Sequence, residues 1–128
     1  MNTLLDTHML LWFAWGDKRL SHSARSIIED IDHTKYVSMA SIWEMAIKLS
    51  LGKLKLAKTF EEFLIECIDD NGFEILPIKR AHSLKLVSME FHHRDPFDRM
   101  IAAQSLTEGM PLLSVDAVFD AYGVQRIG

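Results

Sequence analysis

Apolar positions along the chain fall into two alternating rhythms. Short strand-like runs occur at Thr3-Leu4-Leu5, at residues 36–39, at Phe73-Glu74-Ile75-Leu76-Pro77 and at residues 111–115. Such runs of β-prone residues, bounded by turn formers, predict strands, and residues 124–127 add a short edge strand. Between them lie longer segments with helical spacing. Residues 7–15 predict a helix ended by Gly16, and Ser21 caps a second one running to about residue 31. Residues 41–51 form a helix closed by Gly52. Residues 59–70 form an amphipathic one stopped by Asn71-Gly72. Residues 80–89 and 96–108 give two more, and residues 116–122 a last short helix. Strands separated by helices predict a three-layer α/β/α sandwich around a central, mainly parallel sheet of four to five strands. The first run is followed, across Asp6-Thr7-His8, by the apolar run Met9 to Trp12, which places it mid-sheet, covered on both faces.

Length sharpens this picture. A chain of 128 residues suits one domain spanning residues 1–128 that buries roughly two thirds of its unfolded surface. The composition, 48% hydrophobic and 25% charged, excludes a disordered chain. Net charge is −4, so there is no general basic footprint for nucleic acid, and any such contact must be local. One cysteine, Cys67, excludes an internal disulfide; on the apolar face of Phe60, Phe63, Leu64 and Ile68 it predicts a buried thiol. Trp12, Trp15 and Trp43 are expected in the core. No charged leader and no membrane-length apolar run occurs, so a cytoplasmic protein without membrane contact is expected.

The acids carry the candidate chemistry. Each has a structural explanation when taken alone. Ser41-x-x-Glu44 has the form of a capping box, Asp95-Pro96 opens a helix with Asp98 in its first turn, and Asp116 directly precedes a helix. Asp6 is harder to account for, because Thr7 is a sufficient cap by itself. In a parallel sheet Asp6 and Asp116 both follow strands and share the carboxyl edge, where the helices bearing Glu44 and Asp98 also begin. Four carboxylates converging on a partly desolvated edge repel one another, and a divalent cation relieves that repulsion. An all-oxygen set selects a hard ion such as Mg²⁺ or Mn²⁺, which activates water at a phosphodiester. A zinc hydrolase is not supported, since His92-His93 is the one close histidine pair and no H-E-x-x-H pattern occurs. A phospho-accepting receiver domain needs an aspartate at the end of its third strand, and here that strand ends Leu76-Pro77. The remaining rival is a non-catalytic α/β interaction domain whose acids only cap helices.

Several blocks together resemble one family. Leu4-Leu5-Asp6-Thr7-His8, Ser38-x-x-Ser41-x-Trp43-Glu44, His93-Arg94-Asp95-Pro96-Phe97-Asp98-Arg99 with Ile101-Ala102-Ala103-Gln104, and Leu113-Ser114-Val115-Asp116 are similar, in this order, to PIN domains. More closely they resemble the VapC-type ribonuclease toxins of toxin–antitoxin pairs. The resemblance covers essentially the whole chain. It implies a metal-dependent endoribonuclease with Asp6, Glu44, Asp98 and Asp116 as the Mg²⁺/Mn²⁺ site, supported by Thr7, Ser114 and, as N-cap first and site residue second, Asp95. His92, His93, Arg94 and Arg99 around the acidic helix start, with Lys48, Lys53 and Lys55 as a second patch, are the candidate RNA contacts. The implied partners are an RNA substrate and a small antitoxin, with a homodimer expected. A seat for the antitoxin is expected between the helix bearing Ile42, Trp43, Ile47 and Leu51 and the helix bearing Phe60, Phe63, Leu64 and Ile68.

Overall fold

The first strand, β1 (Asn2–Leu5), lies at the centre of a five-stranded sheet in the computed structural model, which describes residues 1–92 and 94–128. With β2 (Thr34–Ser38), β3 (Glu74–Leu76), β4 (Leu112–Leu113) and β5 (Arg126–Ile127), the sheet order is β3-β2-β1-β4-β5, and every pairing is parallel. The fold is thus α/β with an all-parallel sheet, as the alternation of runs predicts. From β1 the chain moves outward on one side to β2 and β3, and then fills the other side with β4 and β5. The strand order therefore reverses beside β1. A crevice opens at such a reversal, outside the carboxyl ends of the strands.

Alternation along each strand divides the core in two. Leu5, Val37 and Leu113 point to one face, where they pack with α1 (Thr7–Trp15), α2 (His22–Glu29), α3 (Met39–Ser50) and α4 (Phe60–Leu64). Leu4, Tyr36 and Leu112 point to the other, against α6 (Pro96–Glu108) and a 3₁₀ helix (Ala117–Tyr122). The helix α5 (Arg80–Ser88) packs along α6. Leu4, Leu5, Leu112 and Leu113 are fully buried, worth roughly 2 kcal/mol each in removed apolar surface. Trp12 joins the core, whereas Trp15 and Trp43 are exposed, against expectation. Among the described residues no helix is long and apolar enough to cross a membrane.

Two local departures matter for the site. The third helix starts earlier than its sequence suggests: Ser38, not Ser41, is its N-cap, accepting a hydrogen bond from the Ala40 amide. The Ser38 hydroxyl also donates to Gln104 Oε1 on α6, and that long-range bond selects the earlier start. Gln104 Nε2 in turn donates to the Pro77 carbonyl, and buried His82 bridges the Lys79 amide to Glu108, so α3, α5 and α6 share one polar seam. The second departure is in the helix predicted for residues 59–70. It is α-helical only over α4 and then widens into a π-turn (Ile65–Asp69), with the Asn71 side chain capping the Glu66 and Cys67 carbonyls. Cys67 is buried there, and burial pushes its thiol up to about 12.

Candidate active site

Asp6 follows β1 directly and opens α1. Its Oδ1 accepts from the Met9 amide at 2.8 Å, so it is the cap that Thr7 would otherwise have supplied. Only 4% of its surface is exposed. Burial raises its carboxyl above the ordinary 3.8; hydrogen bonds from Ser114 and Met9 and the nearby His8 oppose this, and the charge of Asp116 adds to it. The register puts Leu5 opposite Leu113, which brings Asp6 beside Ser114. Ser114 is itself fully buried, accepts from the Asp116 amide, and turns its hydroxyl toward Asp6. Asp116 caps the 3₁₀ helix through the Val118 amide. Asp6, directly after β1, and Asp116, three residues after β4, are thus linked through Ser114.

The second half of the site belongs to α3. Because the helix begins at Met39, Glu44 lies in its second turn, and the capping-box reading of Ser41-x-x-Glu44 fails. Glu44 has no helix end to serve, yet it is only 3% exposed. The Thr7 hydroxyl lies 2.9 Å from Glu44 Oε1 and 2.8 Å from Ser41 Oγ. Thr7 Oγ1 is the donor in both contacts, so its one proton is shared between the Glu44 carboxylate and the Ser41 hydroxyl oxygen. Lys48 Nζ reaches Glu44 Oε2 at 2.8 Å. The hydrogen bond to Glu44, then the charges of Glu44, Asp95 and Asp98, hold the Lys48 ammonium above its ordinary range. Asp95 caps α6 by accepting from the Phe97 and Asp98 amides, which leaves Asp98 in the first turn as predicted. Trp43 meets Phe97 edge-on at 5.2 Å, joining α3 to α6 on the outer side of this group.

Adjacent residues Asp6 and Thr7 link the two halves. Ser41, Lys48 as a carboxylate partner, and the Ser38–Gln104 tie are additions to the sequence reading; the i,i+4 spacing of Glu44 and Lys48 was the one local signal for them. The candidate RNA contacts are placed differently from one another. Arg94 and Lys53 are exposed. Arg99 donates to the Leu86 and Met89 carbonyls and lies over the Phe91 ring, 4.7 Å away, so it fastens α6 to the end of α5. The His92 amide donates to the Tyr122 hydroxyl, and its ring packs on that tyrosine. His93 lies outside the described residues.

Among the described residues, no three His, Cys, Asp or Glu side chains are gathered tightly enough to hold an ion as they stand. The donor set nevertheless suits a hard divalent cation. It is all oxygen, it lies at one sheet edge, and two of its members, Asp6 and Glu44, are buried, with burial raising the Asp6 carboxyl above its ordinary value.

Three comparisons bear on this architecture. Among solved structures, VapBC2 from Rickettsia felis bound to a DNA fragment from its promoter aligns with a TM-score of 0.75 at 13% identity, over 99% of this chain and 98% of the other. FitAB bound to IR36 DNA aligns with a TM-score of 0.68 at 20% identity, over 98% and 93%. A toxin–antitoxin complex from Klebsiella pneumoniae gives 0.67 at 15%, over 98% and 96%. At these identities the likeness is one of fold. A search of curated proteins finds no match. The family model for the PIN domain matches residues 3–125, nearly the whole length, and it is on this match that the chain belongs to the PIN-domain family.

Proposed function

We propose that this chain is a metal-dependent endoribonuclease of the VapC type, acting as the toxin of a toxin–antitoxin pair. One observation carries the reading: Glu44 is a buried carboxylate in mid-helix, held by Thr7 and Lys48, with no structural duty at a helix end. The capping account explains Asp6, Asp95 and Asp116, each of which accepts from a backbone amide, and it leaves Glu44 unexplained. PIN domains are generally nucleases, and the structural relatives are toxin–antitoxin complexes, which supports the toxin assignment. Asp6, Glu44, Asp98 and Asp116 would hold Mg²⁺ or Mn²⁺, with Asp95 at their edge. The bound ion supplies Lewis acidity and a water activated for in-line attack on a phosphodiester. Ser114 orients Asp6, and Thr7 orients Glu44. Arg94 and Lys53 offer exposed cations to RNA phosphates. The deciding experiment is sequencing of RNA 5′ ends after incubating total RNA with the protein and Mg²⁺. New ends that require the metal and vanish with Asp6→Asn are expected. Their absence with the unaltered protein overturns the reading.

An antitoxin would find its seat between α3 and α4. Ile42, Leu64, Ile65 and Ile68 floor a groove of about 420 Å³, with Glu61 and Asp69 on its lining. An amphipathic helix with basic flanks has the matching chemistry. Co-expression with the neighbouring reading frame and purification through a tag on this chain tests it: a small protein should co-purify, and Ile65→Glu should release it.

A further inference from the structure

The pairing of Lys48 with Glu44 is unlike an ordinary helix-surface ion pair. Such pairs are worth a few tenths of a kcal/mol because both charges stay in water. Here the carboxylate is 3% exposed while the lysine side chain is 44% exposed, so one partner is fixed in the protein and the other can swing out. The ammonium lies 2.8 Å from Glu44 Oε2 and also feels Asp95 and Asp98. One ammonium thus serves three carboxylates, two at the start of α6 and one on α3. The Thr7 hydroxyl occupies the other oxygen of Glu44.

We propose that Lys48 is a built-in counter-ion, a positioning residue that holds Glu44 in its site-facing rotamer while no metal is bound and yields that oxygen when a divalent cation arrives. The inference rests on the metal-centre reading given above. Two cations on one carboxylate oxygen repel each other, so the half-exposed ammonium moves outward while Glu44 stays where Thr7 anchors it. The displaced Lys48 then stands at the rim of the acidic group, within reach of an RNA phosphate, and the same side chain serves the empty site and the loaded one. Binding of the metal and retention of the Lys48–Glu44 pair are therefore antagonistic.

Thermal melts and calorimetric titration with Mn²⁺ alone test this without any activity measurement. Lys48→Met should lower the melting temperature in EDTA by several degrees, because Glu44 is left buried without its partner. The same variant should bind Mn²⁺ roughly tenfold more tightly, since the competing charge is gone. Lys48→Arg should restore the metal-free melting temperature. Glu44→Gln combined with Lys48→Met should be more stable in EDTA than Lys48→Met alone, as a coupled pair requires. If Lys48→Met binds Mn²⁺ with unchanged or weaker affinity, or melts in EDTA like the unaltered protein, the inference is overturned. A protein that shows no Mn²⁺ response with or without Lys48 overturns the metal-centre reading and this inference with it. An unaltered protein that responds, with Lys48→Met responding identically, overturns the inference alone.

Discussion

Removing the Thr7 hydroxyl is the cleanest perturbation of the link between the fold and the site. Thr7 is 4% exposed, and its oxygen lies between Ser41 and Glu44. Thr7→Val keeps the shape and opens no cavity, but it removes the donor that Glu44 Oε1 and Ser41 Oγ share in the interior. A hydrogen bond to a charged group is worth about 1.5–3 kcal/mol. Lys48 still neutralises the carboxylate through its other oxygen, so the expected loss is about 2 kcal/mol, toward the low end of that range. For a chain of this size 1 kcal/mol corresponds to about 4 °C, which puts the melting temperature about 8 °C lower. Thr7→Ser keeps the hydroxyl and loses one buried methyl, about 1 kcal/mol or about 4 °C. Circular-dichroism melts in EDTA read both. The order is the test: if Thr7→Ser is the more destabilised variant, packing and not the hydroxyl dominates, and the argument fails. Mn²⁺ titration adds a second reading. Loosening the residue that orients a ligand typically costs 10–100-fold in metal affinity, roughly the loss expected for Thr7→Val.

Asp6→Asn retains the helix cap and removes a charge that burial disfavours, so it should raise the melting temperature of the metal-free protein. The sign follows from a raised carboxyl: the folded state's preference for the protonated form stabilises fully below 3.8 and is lost as pH rises through the higher folded value. The gap between the two proteins should therefore open as pH rises, and a constant gap in calorimetry would contradict it. Asp98→Asn should leave the metal-free protein folded and abolish the melting shift produced by Mn²⁺; an undiminished shift removes Asp98 from the metal site. Cys67, with its thiol pushed up to about 12 by burial, should resist iodoacetamide at mildly alkaline pH until the protein melts, and fast labelling of the native protein would show the pocket around it to be open.

Most of the architecture is legible in the sequence for a physical reason. Strands covered on both faces must be apolar without alternation, and that is how the segments around Leu4-Leu5 and Leu112-Leu113 read. Gly16 and Gly109 end helices in the left-handed conformation that a side chain disfavours, and Asp95-Pro96 opens α6 where those residues predict. The start of α3 was not legible. Ser38 and Ser41 both suit a cap, and the choice between them depends on Gln104, sixty-six positions away by sequence separation. The π-turn was hidden likewise, because Phe63, Cys67 and Ile68 keep helical spacing whether or not a residue is inserted.

The acids show the same division between local and distant causes. Aspartates before helices announce themselves, yet the announcement is ambiguous, because capping and metal binding ask for the same residue at the same position. Glu44 breaks the ambiguity only once the helix start is known. With Ser41 as cap it has a structural duty; with Ser38 as cap it is a buried charge in the second turn that a hydroxyl and an ammonium have to satisfy. Shifting the start of one helix by three residues thus turns Glu44 from an acid at a helix start into a buried mid-helix carboxylate that capping does not account for. The Ser38–Gln104 bond that fixes this start also ties α3 to α6, the helix carrying Asp98. Ser38→Ala should consequently loosen both helices at once, and its effect on Mn²⁺ affinity should exceed that of a substitution at exposed Val87 on α5.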